Sequence, residues 1–453
     1  MSLNPVAPGA GARDLRRGIT TANPQALANP VFNDASYARG SLPFFLLRIS
    51  ISALLPFIIA LGAMFQVQML LLHGHIVANS VDLKLLFMFP FLLGMFLRAR
   101  FSHRRVVAVT LVFVSFLILD GIRFYFSLNI AGVDVVQGAN SYYSYVFLAV
   151  LALMVPFRLP ERRVIQIFVW TFIACAVVGL AQFIANKPLI PDHSSDGSFE
   201  VNGTQAVNFR PFSLFTDVHH YGMIGVVAAS LGFAYWRRRR RVVGLPLLLS
   251  GILVTVTAGS REVMPSLVAA LGTVALLTHG ASRRWHRLLP LLWLGLGVSV
   301  VGIGYVLASG GGVTHTLSDT STLIIRLQNW QTYAAMFGLN DPWGILFGFG
   351  LVENHNAATS AVLVPIDNLF LCTTLHIGLV GLALCIALLW TLWREALSAA
   401  QETDSALAIA VAAAFSTFLC LGMFQPTAAP ACTYFILYAV SQTAMFRRVR
   451  DQR

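Results

Sequence analysis

The sequence predicts an all-α, polytopic membrane protein of about twelve transmembrane helices, with a large outer loop that itself contains helical segments. Three observations carry this expectation. Of the 453 residues, 57% are hydrophobic and only 11% are charged, against about 25% charged in an average soluble domain. The apolar residues fall into runs of roughly 16 to 25, long enough to cross about 30 Å of hydrocarbon. Arginine-rich stretches recur between those runs on alternate connections. A bilayer interior accepts only segments whose backbone groups are satisfied internally, so apolar runs of this length read as helices.

Taken in order, the runs lie at 43–70, 83–97, 106–127, 141–157, 164–185, 219–236, 242–258, 263–278, 288–308, 368–392, 406–423 and 428–446. Residues 1–42 are rich in Ala, Pro, Asn and Arg and hold no apolar core of a cleavable signal, so they read as a cytoplasmic tail. Residues 43–308 carry the first nine spans and a loop at 186–218. A large loop follows at 309–367, then three spans at 368–446 and a short tail at 447–453. No internal repeat is visible.

The net charge of +12 comes almost wholly from arginine. The arginine-rich stretches are Arg13–Arg17, RARFSHRR (98–105), RLPERR (158–163), RRRRR (237–241), SRRWHR (282–287) and RRVRDQR (447–453). With twelve spans and an inner N-terminus, all of them fall on the same side, as the positive-inside rule requires. This placement accounts for the basic charge without nucleic acid. Both termini are then cytoplasmic. The connection at 394–404, with Arg394 and three acids, is read as an inner loop. Cys175, Cys372, Cys385, Cys420 and Cys432 all lie in apolar runs without metal-ligand spacing and read as packing residues.

The outer side receives the loop at 186–218, a tight connection at TAGSRE (257–262) and the long segment at 309–367. Loops beyond about 15 residues are usually functional. Within the long one, Leu323, Leu327, Trp330 and Ala334 recur at three- and four-residue steps, the spacing of a helix lying on the membrane surface. GILFGFG (344–350) reads as a glycine-rich apolar turn. Three arginines stand on this side against the rule: Arg210, Arg261 and Arg326. A charge beside an apolar run is costly unless paired or used. A guanidinium matches phosphate oxygens as a two-pronged fork, so three converging forks would hold a pyrophosphate. The competing role is to snorkel to lipid headgroups. Asp367 opens the tenth span and reads as a helix cap or a general base. His219, His220, His355 and Asn368 lie at the same outer rim. Adjacent histidines point about 100° apart on a helix and chelate poorly together, so no metal is expected. Phe209, Phe212, Phe215 and Tyr221 read as interface anchors that also suit stacking on sugar faces. The centres of the spans look nearly free of charge.

The order RPFSLFTDVHHYG (210–222), TAGSRE (257–262), RLQNWQTYAAMFGLNDPWGILFGFG (326–350) and DNLFLCTTLHIGLVG (367–381) resembles the O-antigen ligase and O-antigen polymerase family. The likeness covers about residues 205–390; the first half matches only by its number of helices. It implies a GT-C-like glycosyltransferase of the bacterial inner membrane with its active site on the periplasmic face. It also implies a donor linked to undecaprenyl pyrophosphate, no metal or other cofactor, and Arg210, Arg261 and Arg326 as pyrophosphate ligands. Partners implied are the lipid-linked donor and acceptor glycans, the bilayer, and flippase and chain-length regulator proteins of the same pathway, with no nucleic acid. Family ligases carry His-Asn where this chain has Asp367-Asn368, and His355-Asn356 stands twelve residues earlier. That departure favours a polymerase of exopolysaccharide or O-antigen repeat units over a ligase acting on lipid A core. Asp367 is the expected base, with His219, His220, His355 and Asn368 in reserve, and Arg210 and Arg261 stabilise the leaving group. Rival expectations are a polysaccharide-related membrane transporter and a peptidoglycan glycosyltransferase of the shape, elongation, division and sporulation family.

Overall fold

A computed structural model describes residues 104–131, 161–187, 211, 213–214, 218–238, 241–260, 263–279, 288–289, 291–299, 330–331, 342–348, 368–403 and 405–422. The spans expected at 43–70, 83–97, 141–157 and 428–446, both tails and most of the loop at 309–367 lie outside the described residues. Eight helices are defined: α1 Arg104–Ala131, α2 Glu161–Ala185, α3 Val218–Arg237, α4 Arg241–Thr257, α5 Val263–Thr278, α6 Pro342–Phe347, α7 Leu369–Thr403 and α8 Ala406–Gly422. Residues 291–299 are also helical, and no strand occurs among the described residues. Phe168–Ala185 and Leu369–Ser398 are long and apolar enough to cross a membrane; Ala108–Ile122, Arg241–Thr257, Val263–Thr278 and Ala406–Ser416 are apolar but shorter.

Burial separates an apolar outward surface from an interior of small residues. The outward surface is apolar: Trp170 is 71% exposed, Val268 70% and Leu119 69%. Water would penalise such faces and lipid would not. The interior is made of small residues. Along α8, Ala406, Ala408, Ala410 and Ala412 to Ala414 are all buried, as are Ala228, Ala229 and Ala234 of α3. Between helices in lipid there is little hydrophobic gain, so close backbone approach replaces it. The tightest example is the hairpin of α3 and α4. A Cβ on Gly232 would overlap the backbone of Leu248, and one on Gly251 would overlap the backbone of Ala229. The Thr255 hydroxyl lies between the two helices, donating to Gly251 O at 2.9 Å and reaching Gly222 O at 3.3 Å.

α2, α5 and α8 pack on this hairpin, and α7 joins it through α8. α5 packs on α3 and α8, α8 packs on α3 and α7, and α1 and α6 pack on α7. α5 and α8 also meet through the Thr273 and Ser416 hydroxyls at 3.2 Å, and the Trp293 indole donates to Thr273 at 2.9 Å.

Three sequence expectations need correction. The stretch 394–404 was read as a loop, yet α7 runs through Thr403. Its residues REALSAAQET lack Gly and Pro and are rich in strong helix formers. Trp393, Ala396, Leu397 and Ala400 keep one side buried. α8 then begins at Ala406, where Ser405 Oγ caps it by accepting from Ala408 N–H at 3.2 Å. GILFGFG was read as a turn throughout, but Gly344 to Phe347 belong to α6, started by Pro342 at the first helical position. The third correction concerns charge. Asp120, in the middle of α1, is only 4% exposed. It extends the inward stripe of Thr110, Phe113 and Leu117 by one more turn, so that span is not free of ionisable groups.

Gly232→Val should destabilise the purified protein by about 1–3 kcal/mol through overpacking. Gly121→Ala, where an added methyl meets nothing within 4 Å, should be neutral or stabilising. Thermal unfolding midpoints in one detergent compare the two; equal midpoints would contradict the close packing of α3 on α4.

Candidate functional site

Four irregular points lie at helix ends or breaks, and they coincide with the quoted motifs. The first is the RPFS stretch. Ser213 is fully buried and adopts a left-handed backbone with φ 59. The Gln182 carboxamide, also fully buried, grips it from α2. Ser213 N–H donates to Gln182 Oε1 at 2.6 Å, and Gln182 Nε2 donates to Ser213 O at 2.9 Å. The Ser213 hydroxyl donates to Cys175 O at 2.6 Å. An amide pairing with a backbone amide in this way does what a strand neighbour would do, so the irregular segment keeps its polar groups satisfied away from water. α2 ends just beyond, at Asn186 with φ 52, the left-handed conformation that commonly closes a helix.

The second point is the turn between α4 and α5. Ala258 N–H donates to Val254 O at 3.0 Å and Gly259 N–H to Val256 O at 3.0 Å. Gly259 has φ 63, which turns the chain so that Ser260 is buried. Val263 N–H returns to Ser260 O at 3.3 Å as α5 begins. The Ser260 hydroxyl lies 2.7 Å from His219 Nδ1 at the start of α3. Two assignments satisfy that distance. Either Ser260 donates and His219 holds its proton on Nε2, or Nδ1–H donates and Nε2 is unprotonated. Gly222 abuts Val263 one turn further in, and the Tyr221 ring lies against Gly179. Residues near the RPFS motif, the first histidine and the serine–arginine turn are therefore brought to one end of α2, α3, α4 and α5.

The third point is the start of α7. Asn368 Oδ1 accepts from Leu371 N–H at 3.0 Å, and its carbonyl accepts from Cys372 N–H at 2.9 Å. Asn368 is thus the N-cap of α7. Two turns in, buried His376 sits 3.7 Å from Cys372 Sγ through Nδ1.

The fourth point is a break in α7 at Gly378, whose φ 71 and ψ −178 interrupt the helix. Gly348, with φ 85, lies against it. A Cβ on Gly348 would overlap the His376 carbonyl, and one on Gly378 would overlap Leu346 O and Gly348 N. The end of α6 is thereby seated in the gap, and only glycine fits on either side.

Of the site residues singled out by sequence, His219, Asn368 and Tyr221 have described side chains; Tyr221, expected as an interface anchor or a ring for sugar stacking, is instead fully buried against Gly179 of α2. His220 lies in α3, but its side chain is outside the described residues, as are Arg210, Arg261, Arg326, Asp367 and His355 altogether. Sequence reasoning overlooked Gln182, Ser213, Ser260 and His376. A polar residue inside an otherwise apolar run was the available signal for Gln182, since lipid would not tolerate its amide unpaired. Cys175, Cys372 and Cys385 are free and buried, as their apolar setting suggested. Comparison with models of known protein families and with characterised proteins gave no match, so the likeness drawn above rests on the motifs of this chain alone.

Asn368→Ala should lower stability by about 0.5–2 kcal/mol, the usual cost of losing an N-cap. Asn368→Ser, which retains a capping oxygen, should stay close to wild type. Unfolding midpoints in detergent decide this; equal losses in both variants would point to a role other than capping.

Proposed function

We propose that the chain is a glycosyltransferase of the bacterial inner membrane that joins oligosaccharide repeat units linked to undecaprenyl pyrophosphate into an exopolysaccharide or O-antigen. Transfer takes place at the periplasmic face and inverts the anomeric carbon. The observation that carries this reading is the His219–Ser260 contact, 2.7 Å long. It ties the start of α3, in the motif that begins at Arg210, to the residue before Arg261. Two arginines that stand against the positive-inside pattern thus belong to chain segments anchored at one end of the bundle.

In the proposed reaction the donor sugar leaves its pyrophosphate as an acceptor hydroxyl attacks from the opposite face. The C–O bond to phosphate breaks, the new glycosidic bond forms, and the hydroxyl proton passes to a base. Arg210, Arg261 and Arg326 stabilise the charge that grows on the departing diphosphate, a contribution worth about 10²–10³ in rate per donor. Asp367 is the proposed base, worth about 10²–10⁴. The cap geometry supports that role: Asn368 already supplies the capping oxygen to Leu371 N–H, which leaves Asp367 with no need to serve as the cap. His219 suits the diphosphate better than the acceptor when Ser260 donates to its Nδ1, because Nε2 then carries a hydrogen-bond donor.

Transport is the second reading, and the break in α7 at Gly378 is the observation that favours it, since broken helices line the substrate sites of many transporters. Ligation to lipid A core is the remaining enzymatic alternative. The lipid-linked intermediates of a deletion strain separate all three. Accumulated single repeat units indicate a polymerase, and accumulated long lipid-linked polymer indicates a ligase. Units held at the cytoplasmic face indicate transport.

Arg210→Ala and Arg261→Ala should each reduce polymer by about 10²-fold or more with membrane insertion unchanged. The Lys variants should also be impaired, because an ammonium cannot form the two-pronged contact. Polymer is quantified per inserted protein in the complemented deletion strain; full-length product from both Ala variants would overturn the diphosphate role. Asp367→Asn should cut the rate by about 10²-fold or more, and a near-normal rate would remove it as the base.

A further inference from the structure

The buried carboxamide of Gln182 is absorbed neither by the proposed chemistry nor by packing alone. It sits in the last turn of α2 and meets both backbone polar groups of Ser213, at 2.6 and 2.9 Å. Ser213 holds a left-handed backbone, which an L side chain rarely adopts without support. Its hydroxyl is bound in turn to Cys175 O, two turns up α2. Three hydrogen bonds therefore converge on one residue, and Gln182, Ser213 and Pro211 are all buried. Arg210 directly precedes Pro211 in the chain.

We infer that Gln182 is a positioning residue: its carboxamide locks the segment through Ser213 onto α2 and so fixes where the chain enters the candidate diphosphate site. The consequence for activity rests on the polymerase assignment above, while the lock itself does not. The chemistry demands a group with one donor and one acceptor on the same planar end. A neutral amide supplies both. Leucine supplies neither. An ionised glutamate offers acceptors only and opposes the Ser213 carbonyl, whereas a protonated glutamate offers one O–H donor and one carbonyl acceptor, matching the amide. A packing role and a positioning role thus diverge for one nearly isosteric substitution.

Gln182→Leu and Gln182→Glu are compared with wild type in deletion-strain cells at about pH 7.5 and about pH 5.5, with polymer normalised to inserted protein. Dividing by wild type at each pH removes the effect of pH on the rest of the molecule. Gln182→Leu should lose polymer about tenfold or more at both values, the scale set by leaving buried partners unpaired. Gln182→Glu should stay within about threefold of wild type where its carboxyl is protonated, the form that burial and low pH favour, and any loss at the higher pH should be relieved at the lower one. In parallel, half-buried Leu214 is replaced by cysteine and its labelling by a membrane-impermeant maleimide is timed in each background. Labelling should quicken by about threefold or more wherever the lock is broken. Unchanged labelling in Gln182→Leu, or a Gln182→Glu defect that acid does not relieve, would overturn the proposal. A wild-type gene that restores no polymer would sink the polymerase assignment instead, and the labelling ratios would still decide the lock.

Discussion

A buried irregularity in a helical chain must satisfy its own backbone, because an unpaired buried N–H or C=O is costly. That constraint explains where this protein departs from plain helix. Ser213 departs, and Gln182 supplies both partners its backbone needs. The chain turns at Gly259, and the flanking amides close onto Val254, Val256 and Ser260. α7 begins, and Asn368 accepts from its exposed N–H. α7 breaks at Gly378, and the backbone of 346–348 occupies the gap. Each departure is compensated by a specific residue rather than by general softness. Sites where an otherwise uniform bundle tolerates strained backbone are commonly functional. Here the four sites fall inside the four motifs that suggested glycan transfer.

The same constraint bears on the choice between enzyme and transporter. A transporter moves its substrate through the bilayer, so its broken helices lie near the middle and are packed by moving halves. The break at Gly378 is filled by a segment that leaves no room for a methyl on either side. Such a joint is rigid. It ties α6 to α7. The small-residue packing of α3 on α4 is rigid for the same reason, since backbones in direct contact cannot slide without a clash.

How much of this was legible in the sequence depends on which physical signal each feature leaves. The helices α2, α3, α4, α5 and α8 were readable to within three residues at each end, because apolar runs bounded by Arg, Gly or Pro are strong signals. The extension of α7 to Thr403 was hidden: hydropathy falls at Arg394 although helix propensity does not, and span length was used where propensity should have decided. α6 was hidden by its glycines. The first histidine and the serine–arginine turn stood out as polar letters, but the bond between His219 and Ser260 joins residues forty-one apart, and no local pattern encodes it. Gln182 and Asp120 were visible as polar letters in apolar runs and were passed over because composition was averaged across each span.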